Sequence, residues 1–401
     1  MNIIVQKFGG TSVGDINRIK HAAQIIKSSC SEDIKIIAVV SAMAGTTNKL
    51  STQCNELSNL TTAEALREYD VTLSSGEIIT ASMLALELQN IGLKAKSLQG
   101  WQIPIFTDEQ HGNAQITKIS KEKIEALLQD DIIPVITGFQ GISHNNNVTT
   151  LGRGGSDTSA AIIAAAFGAI RCDIYTDVLG VYTADPRIIH DAKKIDIIDC
   201  QELFELCSHG TKVLHPRAAL AALRYNLNLK ISSSFDQVHN NGTITIKNTK
   251  KMEHAQITAI TYNKNLLSIN IACNNSAALK VAQTLLKDNI LISNIIIGES
   301  NLEIITEIFY NNRCNEILSN LQKVGVITKY TINIAISSIS VIGSGLRNHS
   351  KIAIEILSLL NTHNIDILNL EITDLRISFL TQDDNIEKAI QLIHQYYFIN
   401  T

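Results

Sequence analysis

The sequence predicts an α/β protein in which a large N-terminal domain with a mostly parallel sheet precedes two small domains. Short apolar runs alternate with helical periodicity up to about residue 245, which is the first observation behind this prediction. The rhythm changes after a polar, lysine-bearing segment at 246–253. One order of elements, strand–helix–strand–strand–helix, then occurs twice, with an offset of 72 residues between Leu267 and Ile339.

The N-terminal elements begin with a strand, a helix and a second strand. The run at 2–8 is mostly apolar, apolar residues recur at helical spacing over 16–26, and the continuous apolar run at 34–40 is typical of a strand buried on both faces. Further strands are predicted at 93–98, 132–138, 172–176 and 228–233. Further helices are predicted at 77–90, 121–129, 158–167 and 217–225.

The two C-terminal copies begin with strands at 267–271 and 339–342. The first copy continues with a helix at 278–286, strands at 291–297 and 303–309, and a helix at 317–321. The second continues with a helix at 352–360, strands at 365–370 and 375–380, and a helix at 386–393. These patterns predict domains at 1–245, 257–334 and 335–401, with a linker at 246–256.

Composition narrows the class of protein. The chain has 401 residues, with 45% apolar and 18% charged residues, as in a globular protein of two or three domains. A net charge of −4 gives no indication of a nucleic-acid partner. We expect a cytoplasmic protein without a membrane partner, because the sequence has neither a signal peptide nor an apolar run of about 18 residues. The seven cysteines form no CxxC pair, and no cluster has metal-ligand spacing.

The first glycine-rich motif is KFGGTS at 7–12, where the first strand ends and the first helix begins. Glycines there let backbone N–H groups approach a phosphate, and a helix N-terminus adds positive potential. Lys7 would be a mobile cation beside a transferred phosphoryl group. A tight turn with a surface lysine explains the same residues equally well, because a lone glycine pair is a weak signal.

The second motif is LGRGGSDTS at 151–159, directly before an apolar helix. Its glycines and arginine have the composition of an anion site, and Arg153 suits bidentate capture of a carboxylate. Two roles are open for Asp157: it could cap the helix, or it could hold Lys7 in an ion pair.

The third motif is TDVLGVYTADPR at 176–187, where a strand runs into a turn-rich loop. Tyr182 could lie against a base or ribose and Arg187 near phosphates. The alternative is a long surface loop with turn chemistry at Asp185 and Pro186.

Three shorter segments extend the pattern. SAMAGTT at 41–47 follows a strand and SSGE at 74–77 is predicted to open a helix, which are positions where α/β sheets bind ligands and also where ordinary capping occurs. Lys212, in GTKVLHP at 210–216, is one more cation on a glycine loop. Neither a Walker motif nor the protein-kinase motif set is present.

Together with HGNA at 111–114 and GFQG at 138–141, these motifs resemble those of the aspartokinases, within the amino-acid-kinase superfamily. The order and spacing match along almost the whole chain. The resemblance implies an N-terminal αβα sandwich followed by two ACT domains. It also implies formation of 4-phospho-L-aspartate from ATP and L-aspartate with Mg²⁺, the first step toward diaminopimelate, lysine, threonine and methionine.

The resemblance also implies roles by motif position. Lys7 stabilises the transferred phosphoryl group, Asp157 orients Lys7, and Lys212 holds phosphates from the other side. The implied ATP site comprises Lys7, Gly9, Gly10, Ser41, Thr176, Asp177, Tyr182, Arg187 and Lys212. The implied aspartate site comprises Thr47, Glu77, Arg153, Gly154 and Ser156, with Arg153 on a carboxylate and Glu77 on the ammonium group. Magnesium is implied to be held by the phosphates of ATP, without a protein ligand.

The regulatory half departs from the family pattern. Feedback-sensitive relatives usually have an Asp-x-Pro-Gly turn where this chain has residues 273–277, CNNSA. Gly298-Glu299 replaces a common Gln-Asn pair, and EITD at 371–374 replaces Ser-Thr-Ser-Glu. We therefore expect weakened or altered feedback by lysine or threonine. ACT domains of relatives pair between chains, which implies a homo-oligomer, and Met252 lies near the start of a separately translated small subunit in some relatives.

Two other functions stay open at this stage. One is a superfamily relative with another acceptor: glutamate, acetylglutamate or a nucleoside monophosphate. The tandem ACT pair and SSGE disfavour it. The other is an ACT-based amino-acid sensor without catalysis, which the presence of Lys7, Arg153, Asp157 and Lys212 disfavours.

Overall fold

A computed structural model describes residues 2–236, 242–247 and 255–399. The chain divides into two compact units, the first formed by 1–182 and 193–250 and the second by 183–192 and 251–401. Most of the predicted linker at 246–256, together with Met252, lies outside the described residues.

The first unit contains twelve strands and seven helices among its described residues. The strands are β1 (Asn2–Phe8), β2 (Ile34–Val40), β3 (Ala95–Leu98), β4 (Ile105–Thr107), β5 (Ile116–Ile119), β6 (Ile133–Thr137), β7 (Gln140–Ile142), β8 (Val148–Thr150), β9 (Arg171–Thr176), β10 (Ile197–Asp199), β11 (Leu229–Ser233) and β12 (Thr243–Ile246). The helices are α1 (Ile16–Ser29), α2 (Thr46–Leu57), α3 (Ala63–Asn90), α4 (Glu122–Gln129), α5 (Gly155–Ala166), α6 (Cys200–Ser208) and α7 (Pro216–Tyr225).

Eight of these strands form one sheet in the order β10-β12-β11-β9-β1-β2-β6-β3. Neighbouring strands run parallel except β11 and β12, so the prediction of a mostly parallel sheet is confirmed. Phe8, at the end of central β1, pairs with Val40 on one side and Tyr175 on the other. The carboxyl ends of β1, β2 and β9 therefore lie side by side, which is where parallel sheets bind ligands.

The core of the first unit forms where α1 and α3 pack on this sheet. Helix α1 places Ile19, Ala22 and Ile26 on its buried face, as its periodicity predicts. Helix α3 contributes Leu84 and Leu88 to the same cluster. Of the described helices, only α3 has the length and composition to cross a membrane. Half of that stretch is buried, and core helices of globular proteins pass the same test.

The segment Ser74 to Glu77 does not open a helix, so that prediction is wrong. It lies in the middle of α3, whose N-cap is Thr62, where the side chain accepts a hydrogen bond from the Ala65 amide. Gly76 is instead a packing position, because a Cβ there would lie 2.7 Å from the Ala42 Cβ. The glycine lets α3 approach the loop after β2 closely.

Strands β4, β5, β7 and β8 form a separate four-stranded sheet in the order β5-β4-β7-β8, which the sequence patterns did not predict. The strands contain only three or four residues each, too few for alternation to be recognised. This sheet matters for the site because β8 leads directly into the glycine-rich segment at 151–155.

The second unit repeats the predicted order of elements twice. The first copy comprises β13 (Gln256–Ala272), α8 (Asn275–Lys287), β14 (Ile292–Ile297), β15 (Asn301–Glu307) and α9 (Asn311–Lys323). The second comprises β16 (Lys329–Ser344), α10 (Ser350–Thr362), β17 (Asn369–Ile372), β18 (Arg376–Gln382) and α11 (Ile386–His394). All six strands join one antiparallel sheet in the order β14-β15-β13-β16-β18-β17.

The predicted strand at 365–370 is wrong over most of its length, because β17 begins only at Asn369. Ile365 is buried for another reason. Its amide donates to the Leu360 carbonyl, and the preceding Asn364 has a left-handed φ of 56°. The apolar residue thus closes the C-terminus of α10, as commonly happens after a left-handed residue.

Residues 183–192 belong to the second unit although both flanking segments belong to the first. Ala184 and Ile189 lie in the core cluster of the second ACT-like copy. The Thr183 carbonyl accepts from the Ile260 amide, and the Thr183 hydroxyl contacts His394 Nε2 at 3.0 Å. No sequence pattern predicted that part of the TADPR loop packs in this way.

Candidate active site

Lys7 lies near the carboxyl end of β1 in the first unit. Its side chain is only 10% exposed. Its Nζ lies 2.6 Å from Asp157 Oδ1. Asp157 is in the first turn of α5, and the cap residue of that helix is Gly154. Of the two roles left open for Asp157, the structure therefore contains the ion pair.

The two glycines after β1 allow close backbone contacts. The Gly9 amide donates to the Tyr175 carbonyl at 3.0 Å, and the Gly10 carbonyl accepts from the Ala44 amide at 3.1 Å. A Cβ on Gly10 would lie 2.9 Å from the Ala42 carbonyl oxygen. The loops after β1 and β2 therefore lie against each other at the end of the sheet.

The loop before α5 depends on a glycine in a left-handed conformation. Gly154 has φ 66°, and a Cβ there would lie 2.0 Å from the His215 ring. The His215 amide in turn donates to Asp157 Oδ2 at 3.3 Å. Arg153 is exposed on this loop and forms no ion pair with any described residue. A free guanidinium is thus available to an anionic ligand.

Glu77 is almost fully buried on α3, with 3% exposure. Its Oε1 accepts a hydrogen bond from the Ala42 amide at 2.9 Å, while Oε2 has no partner among the described residues. Burial raises the pKa of this carboxyl to about 7, and the bond from Ala42 opposes the shift only in part. A cationic ligand group would favour the ionised form.

These side chains line one cleft of about 310 Å³ in the first unit. Nine of the predicted site residues meet there: Lys7, Gly10, Ser41, Thr47, Glu77, Arg153, Gly154, Ser156 and Asp157. A cation paired with a carboxylate, a free guanidinium and a buried carboxyl can bind an anion and a zwitterion side by side.

Six predicted nucleotide residues lie outside the lining of this cleft, and five of them belong to the first unit. The Gly9 amide donates to the Tyr175 carbonyl. Thr176 and Asp177 follow β9 and are joined by a hydrogen bond of 3.2 Å from the Thr176 hydroxyl. Tyr182 pairs with Lys194 in an isolated bridge. Lys212 is exposed on the loop between α6 and α7.

Arg187, the sixth, belongs to the second unit. Its guanidinium forms a bidentate pair with Asp185, with Nη2 to Oδ2 at 2.7 Å and Nε to Oδ1 at 3.0 Å. This pairing lowers the pKa of Asp185. The Tyr262 hydroxyl also donates to Asp185 Oδ2, at 3.0 Å.

Three polar residues that support the cleft were not predicted as site residues: Asp70, His111 and Arg217. The side chain of Asp70 is fully buried and accepts hydrogen bonds from the 111–112 segment. Arg217 donates to the carbonyls of Leu151 and Ala114. A signal existed for Asp70, since it is an acidic residue two helical turns before Glu77 on the same apolar face of α3.

Among the described residues, no group of three or more His, Cys, Asp or Glu side chains has the arrangement of a metal site. The cleft carboxylates are Asp157, which is paired with Lys7, and Glu77, which is hydrogen-bonded to Ala42.

Sequence comparison defines the class of protein. Residues 2–233 match the family model described as "Amino acid kinase family", and residues 331–395 match one described as "ACT domain". The first match covers more than half of the chain. The chain belongs to the amino acid kinase family.

Full-length relatives narrow this assignment. The chain is 44% identical to an aspartokinase of Rickettsia felis over 402 residues, covering 100% of both chains. It is 34% identical to an aspartokinase of Geobacillus stearothermophilus over 401 residues, covering 99% of this chain and 97% of the relative. Within the amino acid kinase family, the chain is thus a member of the aspartokinases.

A solved structure has the same fold. E. coli aspartokinase III in complex with aspartate and ADP (R-state) aligns with a TM-score of 0.83, at 24% identity, over 99% of this chain and 100% of that chain. The predicted fold class, with two C-terminal ACT-type modules after the parallel-sheet domain, is confirmed.

Proposed function

We propose that this chain transfers the γ-phosphate of ATP to the side-chain carboxylate of L-aspartate and forms 4-phospho-L-aspartate in the cytoplasm. Membership of the aspartokinases supports the reaction. The observation that carries it is the cleft in which Lys7, held by Asp157, and the free guanidinium of Arg153 face a common space. In the family this product leads toward diaminopimelate, lysine, threonine and methionine.

Lys7 would stabilise the transferred phosphoryl group. Phosphoryl transfer needs little covalent help from the protein, but it needs alignment and cations against the charged equatorial oxygens. Asp157, at 2.6 Å, fixes the ammonium group of Lys7 at the end of β1. A positioned charge stabilises a transition state without reorganisation.

Arg153 and Glu77 would select the acceptor. The Arg153 guanidinium suits a bidentate bond to a carboxylate, and the carboxyl of Glu77, ionised, suits the α-ammonium group. Thr47, Gly154 and Ser156 line the same cleft and would complete the aspartate site. The attacking carboxylate is already ionised at pH 7, so the reaction needs no general base.

The nucleotide would lie against the loops after β1 and β2, with Gly9, Gly10 and Ser41 along the phosphates. Thr176, Asp177, Tyr182 and Lys212 would belong to the ATP site by motif position, and the assignment of Arg187 likewise rests on its motif alone. Mg²⁺ would bind between the ATP phosphates and neutralise part of their charge. The chain's own contribution is then the placing of Lys7 and of the backbone amides at these loops.

An acceptor panel tests this function. Purified protein with Mg-ATP is offered aspartate, glutamate and acetylglutamate, and acyl phosphate is trapped with hydroxylamine. We expect hydroxamate with aspartate alone, and about tenfold or more loss of kcat/KM in Arg153→Lys, because lysine cannot make the bidentate bond. A preference for another acid, or amino-acid binding without ATP turnover, would reject the proposal.

Regulation and assembly are also proposed from the family. An amino-acid effector, lysine or threonine, would bind at the ACT modules. The chain would act as a homo-oligomer through pairing of these modules between chains. Gel filtration with light scattering measures the number of chains in the oligomer directly.

A further inference from the structure

The buried carboxylate of Asp70 lies outside the group of residues that line the cleft. It is 0% exposed and accepts hydrogen bonds from three neighbouring residues. His111 Nδ1 lies 2.7 Å from Oδ2, the Gly112 amide lies 3.1 Å from both carboxylate oxygens, and the Thr150 hydroxyl donates to Oδ1. Burying a carboxylate is costly unless such partners satisfy it, so these bonds hold the surrounding segments together.

Three segments meet at this carboxylate. Asp70 lies on α3, two turns before Glu77. His111 and Gly112 belong to the loop between β4 and β5, and Thr150 ends β8. The Ala114 amide also donates to the Thr150 carbonyl at 2.9 Å, so the loop and the end of β8 are joined twice.

The same loop supports the backbone that carries Arg153. A Cβ on Gly152 would lie 2.8 Å from the Gly112 carbonyl oxygen, so the two glycines lie almost in contact. Arg217, from α7, donates to the Leu151 carbonyl at 2.5 Å and to the Ala114 carbonyl at 2.8 Å. The Asp70 cluster is therefore connected to both groups proposed to bind aspartate. Helix α3 connects it to Glu77, and the backbone at 151–154 connects it to Arg153.

We propose that Asp70, with His111 and Thr150, is a positioning cluster that sets the separation between Glu77 and Arg153, and hence the affinity for the amino-acid acceptor. This inference rests on the proposed function of the cleft. The cluster touches neither reactant and acts through α3 on one side and through the 151–154 loop on the other. Loss of a cluster bond should weaken aspartate binding while leaving ATP binding unchanged.

Neighbouring threonines on β8 provide a matched test. Thr150→Val removes the hydroxyl that binds Asp70. Thr149→Val removes an equally buried hydroxyl that instead bonds to the Thr107 hydroxyl at 2.7 Å. We expect Thr150→Val to raise the KM for aspartate about tenfold, which corresponds to about 1.4 kcal/mol of lost positioning. The KM for ATP should stay within about twofold. Thr150→Ser, which keeps the hydroxyl, should restore the wild-type KM, and Thr149→Val should leave both KM values unchanged.

Phosphorylation of aspartate by the wild-type enzyme, measured together with these KM values, tests the proposed function separately. The inference is overturned if wild-type enzyme phosphorylates aspartate but Thr150→Val changes both KM values alike, or changes them no more than Thr149→Val. Asp70→Asn, examined with thermal unfolding as a stability control, is expected to show the same selective rise. Should Asp70→Asn fail to fold, the Thr150 pair alone decides.

Discussion

At the scale of single residues, the candidate site depends on the contrast between a paired and an unpaired cation. Lys7 is held by Asp157 at 2.6 Å, whereas Arg153 has no ionic partner among the described residues. A paired lysine keeps its geometry before substrate arrives, and a free guanidinium leaves its bidentate face to the ligand. The two cations therefore suit different tasks, transition-state stabilisation and acceptor binding.

Removal of the Lys7 charge tests the first task. Lys7→Met should lower kcat about 100-fold or more, because a positioned charge facing the phosphoryl group is lost. Steady-state kinetics with hydroxylamine trapping measures this loss, with Lys20→Met, an exposed lysine on α1, as the control. A change in KM for ATP with kcat intact would contradict a role in the transition state.

Glu77 gives a pH dependence. Because burial raises the pKa of Glu77 to about 7, the empty site loses its anionic form as pH falls below neutrality. Each further pH unit lowers the ionised fraction about tenfold, so the KM for aspartate should rise from pH 8 to pH 6 while the KM for ATP changes little. In Glu77→Gln the KM for aspartate should be high and nearly independent of pH over that range. A wild-type KM without slope between pH 6 and 8 would refute ionisation of Glu77 as the requirement for binding.

At the scale of elements, the long helix α3 and the loop after β2 position the acceptor groups together. Gly76 lets α3 approach Ala42, whose amide binds Glu77. The same helix carries Asp70, whose carboxylate accepts hydrogen bonds from Gly112 and Thr150. Helix α3 thus determines where the buried carboxyl of Glu77 lies relative to the sheet.

Gly76→Ala is expected to damage the site despite favouring the helix. Alanine stabilises a helix interior by about 1 kcal/mol over glycine, but its Cβ would lie 2.7 Å from the Ala42 Cβ. The Ala42 loop must then shift, so the KM for aspartate should rise about fivefold or more. Ser75→Ala, on the neighbouring position of α3, is the control. An unchanged KM with a higher melting temperature in Gly76→Ala would show that the close approach does not matter.

Particular elements show how far the sequence could predict this fold. Buried strands such as β1 and β2 were predictable, because runs of about seven mostly apolar residues have few alternatives. Helix α2 was not predicted because it buries no residue and so carries no apolar stripe. The four-stranded sheet was missed because its strands are only three or four residues long. The motifs predicted nine of the residues that line the cleft. The supporting residues Asp70 and Arg217 were missed because their roles depend on contacts distant in sequence.

At the scale of the whole molecule, the chain joins a parallel-sheet unit to a unit built on one antiparallel six-stranded sheet. Strands β13 and β16 pair along most of their lengths and tie the two ACT-type copies into this sheet. Residues 183–192 of the TADPR loop belong to that second unit. Thr183 and Asp185 therefore make their contacts within the unit in which effectors are proposed to bind.

The feedback prediction belongs to this scale. Residues 273–277, Gly298-Glu299 and 371–374 depart from the pattern of feedback-sensitive relatives, so weak inhibition is expected. Titration of lysine and threonine, singly and together, against aspartate-dependent ADP release measures it. Activity should fall less than twofold at about 1 mM of either amino acid. Strong inhibition below 1 mM would refute the prediction and show that this ACT pair binds its effector by other residues.

The most direct measurement follows the reaction by ³¹P NMR with Mg-ATP and L-aspartate, comparing wild-type protein with Lys7→Met and Arg153→Lys. We expect an acyl-phosphate signal that grows in equal amount with ADP, requires aspartate, and is almost abolished in Lys7→Met. In Arg153→Lys, a large excess of aspartate should partly restore the signal. ADP formation without an acyl phosphate, or a signal from Lys7→Met equal to that of the wild type, would contradict this expectation.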